Sequence, residues 1–427
     1  METIVHRQGV TFHFVRTEKF KTNTIVLKMK APLAKESATI RALLPYVLQS
    51  GTKRRPSQPE LRSYLEELYG ADFFVELQKK GENHIISLHL EVANEKFLRG
   101  SEPLMEKGLR FLHEVLFEPK AENGSFDREI VEREKRALKQ RIQAVYDDKM
   151  SYASLRLVEE MCKEEPYAVP VNGYMDAVDG IDGESLYRYF QRSLEEDDLD
   201  LYCVGDFDVQ AVENLCSRLF SFPERRRNDF APRPVPVKGN FREVSERQPV
   251  NQGKLNIGFR TNIFYGDGEY FPLQVFNGLF GGFPHSKLFR NVREKESLAY
   301  YAFSRLESHK GLLMVLTGID PKNYRKTVDI IVDQWEAVKK GDFTEEELEQ
   351  TKAAIRNQMS ETLDTSRGLI EVLYHNVISG KSITQEQWQD RINGVTKEDV
   401  MRAAGKIAPD TVYFLTGMEG QDEGSLN

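Results

Sequence analysis

Apolar residues along this chain recur with two periods, and the switches between them mark out its elements. Residues 10–30, VTFHFVRTEKFKTNTIVLKMK, are rich in β-branched and aromatic residues and alternate in their second half, which predicts a hairpin-like pair of strands. A helix is expected over about 36–50, and a second from Gln58 to Tyr69, opened by SQPE and closed by Gly70. ADFFVELQKK and NHIISLHLEV read as two further alternating strands joined at Gly81. Over about 95–117, Phe97, Leu98, Leu104, Met105, Leu109, Leu112 and Leu116 keep one apolar face, the mark of an amphipathic helix. A long charged helix follows in FDREIVEREKRALKQRIQAVYDDKM, and LDLYCVGDFD reads as a strand ending in a turn.

Periodicity stops at 222–252, FPERRRNDFAPRPVPVKGNFREVSERQPVNQ, a Pro-rich, basic stretch with the character of a linker. Beyond it the second half replays the first. KLNIGFRTNI supplies a strand, YFPLQVFNGLFGG an apolar helix ending in glycines, and SKLFRNVREKES a charged helix. LAYYAFSRL and GLLMVLTGID are paired strands, YRKTVDIIVDQWEAVKK and TEEELEQTKAAIRNQM are helices, and DTVYFLTGME matches LDLYCVGDFD in type and place. The expected fold class is α+β with two homologous domains, each a mainly antiparallel sheet covered by helices. The expected boundaries are 1–225, a linker at 226–250, and 251–427.

Composition changes this picture little. With 40% hydrophobic and 30% charged residues in 427, the chain is that of a soluble globular protein too long for one core. A net charge of -8 argues against a general nucleic-acid binder. Cys162, Cys203 and Cys216 form no CxxC pair, so neither a disulfide framework nor a thiolate zinc site is signalled. The N-terminal residues lack the pattern of a signal peptide and no stretch is long enough to span a bilayer, so no membrane partner and a cytoplasmic location are expected.

Metal signatures are scarce. HEVLF at 113–117 begins like a HExxH zinc helix, but Phe117 stands where the second imidazole belongs, leaving His113 and Glu114 as an ordinary helical pair. His84 and His89 lie five apart in a strand and point to opposite faces, and His6 and His13 fail by the same parity. GLFGG lacks the GK[ST] of a phosphate-cradling loop.

GLFGGFPHSKLFRNVREKESLAY is more distinctive, joining a Gly-rich turn, a charged helix and a strand entry bearing Tyr300. It resembles the C-terminal half of the pitrilysin/insulinase-type zinc peptidases, in their processing-peptidase branch, which show there a Gly-rich segment and then a string of the form SrLf…lRE…gLAY. The resemblance implies that Arg293 and Tyr300 sit opposite a zinc ion. Arg293 would hold substrate backbone and Tyr300 would stabilise the tetrahedral oxyanion, roles that suit a fixed donor fork and a phenolic donor. It also implies a substrate contact at Gly281 and Gly282, although glycines 278, 281 and 282 read equally well as left-handed, helix-ending positions.

The resemblance extends over essentially the whole chain, including the opening segment RALLPYVLQSGT. There the family's metal helix reads H-x-x-E-H before a Gly-Thr turn and a basic, Pro-containing run. Counted back from Gly51 and Thr52, its three positions fall on Ala42, Pro45 and Tyr46, and the family's third ligand, a Glu, falls on Arg141 in EKRALKQRI. Alanine offers no ligand, proline no base and tyrosine a poor ligand at neutral pH, while a cation repels a metal. The expectation is a chain with no zinc and no other cofactor of its own.

The implied function is that of a non-catalytic subunit. A homologous zinc-binding peptidase subunit would carry H-x-x-E-H, and this chain would supply Arg293 and Tyr300 to the peptide substrate. Alone, the chain would pair with itself through the same faces. The alternative is an inert interaction or scaffold protein of the same fold; a peptidase with an unorthodox site finds no His/Glu cluster of ligand spacing to support it.

Overall fold

The computed structural model describes residues 2–99, 102–225, 234–236 and 239–418; of the expected linker, 226–233 and 237–238 lie outside them. Strands β1 (Glu2–Arg7), β2 (Val10–Arg16), β3 (Thr22–Pro32), β4 (Asp72–Lys80), β5 (Asn83–Ala93) and β8 (Asp198–Gly205) form one sheet in the order β1-β2-β8-β3-β5-β4. β6 (Ala121–Glu122) and β7 (Ser125–Phe126) make a separate short ladder. A second sheet contains β9 (Arg242–Arg247), β10 (Gly253–Arg260), β11 (Ala299–Glu307), β12 (Leu312–Ile319) and β13 (Ala408–Thr416) in the order β11-β12-β10-β13-β9.

Reversed, the second order matches β2-β8-β3-β5-β4 strand for strand. The pairs β2–β8 and β9–β13 are parallel and every other pair is antiparallel. The repeat read from the sequence is therefore a repeat of sheet topology, and the mainly antiparallel α+β class holds. One expectation needs correction: the two strands within 10–30 are not neighbours, because β8 lies between them. Alternation shows that a strand exists but not its partner, and β8 is buried at every position, as a central strand requires.

Helices α1 (Lys35–Leu48), α2 (Gln58–Glu67), α3 (Leu104–Phe117), α4 (Arg128–Asp147), α5 (Lys149–Met161), α6 (Gly183–Glu196) and α7 (Val209–Leu219) precede the second sheet's strands. They are followed by α8 (Tyr270–Asn277), α9 (Tyr324–Lys339), α10 (Glu345–Leu363), α11 (Ser366–Ser379), α12 (Gln385–Asn393) and α13 (Lys397–Lys406). Ser57 caps α2 as SQPE predicts, accepting from the Glu60 amide at 3.4 Å. The expected helix over 95–117 is instead a 3₁₀ turn, Glu95–Phe97, and then α3, because Pro103 disfavours helical geometry in the residue before it. Two expected α-helical stretches are π-helical: Gly278–Gly282, continuing α8, and Phe289–Lys295. No helix of the described residues is long and apolar enough to cross a membrane.

The chain forms two compact units, and neither is one continuous stretch. The first comprises Met1–Ala144, Val169–Phe230 and Asp364–Glu371; the second comprises Val145–Ala168, Ala231–Leu363 and Val372–Asn427. Each unit thus takes a short segment from the other half of the sequence. In the second unit α5 packs on β10 and β13, burying Leu157 and Met161 against Leu312, Met314 and Tyr413. Gly258 permits this approach, since a Cβ there would lie 2.1 Å from Met161 Sδ.

In the first unit Ile25, Leu27 and Met29 of β3 enter the core with Leu43, Leu44, Leu109 and Leu112, while Thr24 and Lys28 face the other way. The borrowed segment covers that second face. Thr24 Oγ1 meets Ser366 Oγ at 2.7 Å, and Glu371 accepts from Lys28 at 2.5 Å and Lys80 at 2.6 Å. Burial works to lift the Glu371 carboxyl, but the two ammonium groups outweigh it and hold it at about 2. Burial also draws Lys28 below the usual lysine range.

A carboxylate held below its ordinary value of 4.5 stabilises the fold above that pH, and the benefit fades as pH falls through about 2. Glu371→Gln is expected to cost on the order of 2 kcal/mol near neutral pH and to flatten the loss of stability between about pH 5 and 2. Urea midpoints of the two proteins across that range check it.

Candidate functional site

The aligned positions of the metal site begin on α1. Ala34 gives this helix no side-chain cap, and Pro45 interrupts its interior, at a cost of roughly 3 kcal/mol in an exposed helix. Packing compensates, because Ala38, Leu43, Leu44, Val47 and Leu48 are all buried. Ala42 and Pro45 are buried with them, Ala42 as part of the apolar core.

Tyr46 is half-buried, and its ring meets α4: the Arg141 guanidinium carbon lies 3.6 Å from the ring centroid. Residues 95 positions apart, which the sequence aligns with two metal ligands, thus come together as a stacked cation–aromatic pair. Burial pulls the Arg141 guanidinium below its ordinary value, and Tyr46 and Glu134 offset part of that. Arg141 Nε and Nη2 are buried without a hydrogen-bond partner among the described residues. Glu134, whose charge acts on Arg141, accepts at a single oxygen, Oε1, from Ser50 Oγ at 3.1 Å and Arg133 Nε at 3.0 Å.

These side chains do not fit a zinc ion. At the positions that the resemblance assigns to two imidazoles and two carboxylates stand a methyl group, a pyrrolidine ring, a phenol and a cation. Among the described residues no three His, Cys, Asp or Glu side chains gather as a metal could require. Glu114, left over from the failed HExxH match, is buried and accepts from Thr52 Oγ1 and Arg55 Nη1, so it ties the Gly-Thr turn to α3. His113 packs against Phe117 and Phe220.

Arg293 and Tyr300 lie in the second unit and both face solvent. Arg293 belongs to the π-helical segment Phe289–Lys295 and lies over the Phe289 ring at 4.7 Å. Tyr300 is 75% exposed at the start of β11, an edge strand. Three local irregularities converge there. The preceding helix is π-wound, Ser297 takes φ +50°, and the β11–β12 register shifts between Ala299 and Tyr301. A bulge at that point leaves Tyr300 out of the ladder and turns its side chain outward. Uncommon backbone of this kind is concentrated at functional sites. The sequence offers no sign of it, since SKLFRNVREKES reads as a plain charged helix.

The glycines answer a packing need. Gly281 is buried, and a Cβ there would lie 2.6 Å from Ser304 Oγ and 2.7 Å from Leu288 Cδ1. At Gly282 it would lie 2.8 Å from Asn277 Nδ2, and Gly278 has right-handed helical torsions, so none of the three is a left-handed cap. The close approach of the π-turn to β11 requires Gly281, whereas Gly278 gives room to Thr351, whose Cγ2 would lie 2.5 Å from a Cβ there.

Comparison with known proteins adds a consistent set of likenesses. The family description "Peptidase M16 inactive domain" matches residues 180–355. Over 412 residues the chain is 53% identical to the probable inactive metalloprotease YmfF of Bacillus subtilis (strain 168), covering 96% of this chain and 97% of that one. It is 26% identical over 281 residues to AlbE of the same strain, described as an antilisterial bacteriocin subtilosin biosynthesis protein, covering 65% and 69% of the two chains. The crystal structure of a conserved protein from Enterococcus faecalis V583 superposes with a TM-score of 0.92 at 36% identity, covering 99% of this chain and 100% of that one.

Proposed function

This chain belongs to the pitrilysin-type M16 peptidase family, among its inactive members, and we propose that it is the non-catalytic subunit of a two-chain zinc peptidase. In this reading a homologous partner carries H-x-x-E-H, and with it the metal and the general base. This chain contributes Tyr300, whose hydroxyl donates to the oxyanion formed on the scissile carbonyl, and Arg293, whose guanidinium holds a substrate backbone carbonyl. The observation that carries the proposal is an asymmetry. The aligned ligand positions are filled by the Tyr46–Arg141 stack and by buried apolar groups, whereas Arg293 and Tyr300 are both presented to solvent. A tyrosine 75% exposed on a bulged edge strand adds little to its own unit's core, which leaves its ring and hydroxyl available to a partner or substrate.

The test is to purify this chain and a metal-carrying homologue from the same cell separately and assay zinc-dependent cleavage of unfolded peptides. Cleavage is expected from the mixture and not from this chain alone, with Arg293→Ala raising KM about tenfold through the lost substrate contact. A homologue equally active with and without this chain would refute the proposal and favour the scaffold alternative.

A further inference from the structure

Arg141 is held in a conformation that its own unit leaves incomplete. Its Nε and Nη2 donors are buried and unpartnered among the described residues. These two nitrogens form one edge of the guanidinium, the edge that meets both oxygens of a carboxylate side-on. The Tyr46 ring, 3.6 Å from the guanidinium carbon, fixes the plane of the fork before any ligand arrives. Buried donors on a charged group are costly to leave without an acceptor, so the arrangement calls for one.

The surroundings narrow the choice of acceptor. A metal ion is excluded by the positive charge itself. Glu134 contributes a nearby negative charge, but the one oxygen it engages, Oε1, accepts from Ser50 and Arg133, and it makes no hydrogen bond to Arg141 Nε or Nη2. The same charge disfavours a dianion such as phosphate and leaves a planar monoanion as the best match. Arg141 and Tyr46 are each half-buried and not sealed within the core.

We propose that the Nε/Nη2 edge of Arg141, backed by Tyr46, is a carboxylate-binding site, and that it takes a peptide carboxylate. Substitution has thus converted the aligned metal position into an anion site. The carboxylate can come from a free peptide C-terminus or from an Asp or Glu side chain. The chemistry is shared and the sources are separable.

The full chain, without any partner, is titrated calorimetrically with three acetylated alanine peptides: one with a free C-terminus, its C-terminal amide, and an amide with one internal glutamate. The free acid is expected to bind saturably and the plain amide about tenfold to hundredfold more weakly. Binding of the glutamate amide assigns a side-chain source as well; its failure confines the site to chain ends. Arg141→Met is expected to lose the same tenfold to hundredfold, and Arg141→Lys, which keeps the charge without the fork, to fall between. Equal binding of acid and amide, affinity unchanged in both variants, or no saturable binding of any peptide would overturn the proposal and leave an ordered water as the acceptor. Because the titration needs no second subunit, its failure is distinct from a failure of the subunit reading.

Discussion

In the proposed two-chain peptidase, Tyr300→Phe is expected to lower kcat by about 10²- to 10³-fold and to leave KM near its original value. The substitution removes one hydroxyl and keeps the ring, so contacts common to ground state and transition state are retained. What the proposal has it lose is a donor aimed at charge that develops only as the carbonyl becomes tetrahedral, and such a loss appears in kcat. Folding is not the confounding variable, because the side chain is 75% exposed and its hydroxyl belongs to no internal network among the described residues. Steady-state kinetics on the reconstituted pair check the prediction. A rise in KM with kcat unchanged would make Tyr300 a substrate-binding group, and no change in either would remove it from the chemistry.

Arg41→Met unfolds more of the molecule than its conservative shape suggests, costing about 3–5 kcal/mol. Arg41 neighbours Ala42 on α1 and is fully buried, yet every part of its guanidinium is used. Nη2 donates to the Met29 carbonyl at 2.6 Å and Nε to the His84 carbonyl at 3.2 Å, which ties α1 to β3 and β5. Nη1 pairs with Asp197 at 2.7 Å and donates to Tyr189 Oη at 3.3 Å, which ties α1 to α6 and its end. Burial lifts the Asp197 carboxyl above its ordinary range even with Arg41 in place. Without Arg41 that acid loses its counter-charge and the Met29 and His84 carbonyls lose a side-chain donor in the interior, so the penalty is that of stranded groups more than of lost attraction. Urea denaturation checks the figure. Arg41→Met with Asp197→Leu is expected to recover a large part of it, because removing both partners strands less than removing one. A single variant within about 0.5 kcal/mol of the parent would contradict this account of α1.

Much of the architecture was legible because periodicity survives duplication. DTVYFLTGME and LDLYCVGDFD were matched by pattern, and they are β13 and β8, the equivalent central strands of two sheets with one topology. Partner choice was not legible, since β8 reaches its place between β2 and β3 from far along the chain. Nor were the exchanged segments 145–168 and 364–371, because an amphipathic helix declares that it has an apolar face and not which sheet will cover it. The winding of Gly278–Gly282 and Phe289–Lys295 escaped for a related reason: a π-turn has no residue preference that a helix lacks, and both segments pack on β11, a contact that the sequence does not declare. For the metal site the sequence supplies only an expectation of which positions are replaced, Ala42, Pro45, Tyr46 and Arg141. The meeting of Tyr46 with Arg141 and the unpartnered guanidinium edge needed coordinates, because stacking depends on where two distant helices place their side chains.

The central claim, that this chain completes the site of a homologous zinc subunit, is tested most directly by stoichiometric titration. Increasing amounts of the chain are added to a fixed concentration of the metal-carrying homologue, above their dissociation constant, while peptide cleavage is followed. The account predicts a rate that rises from near zero and saturates at one equivalent, with the Tyr300→Phe chain reaching the same equivalence point at a much lower plateau. A homologue that cleaves at full rate before any chain is added, and does not respond to it, would contradict the account.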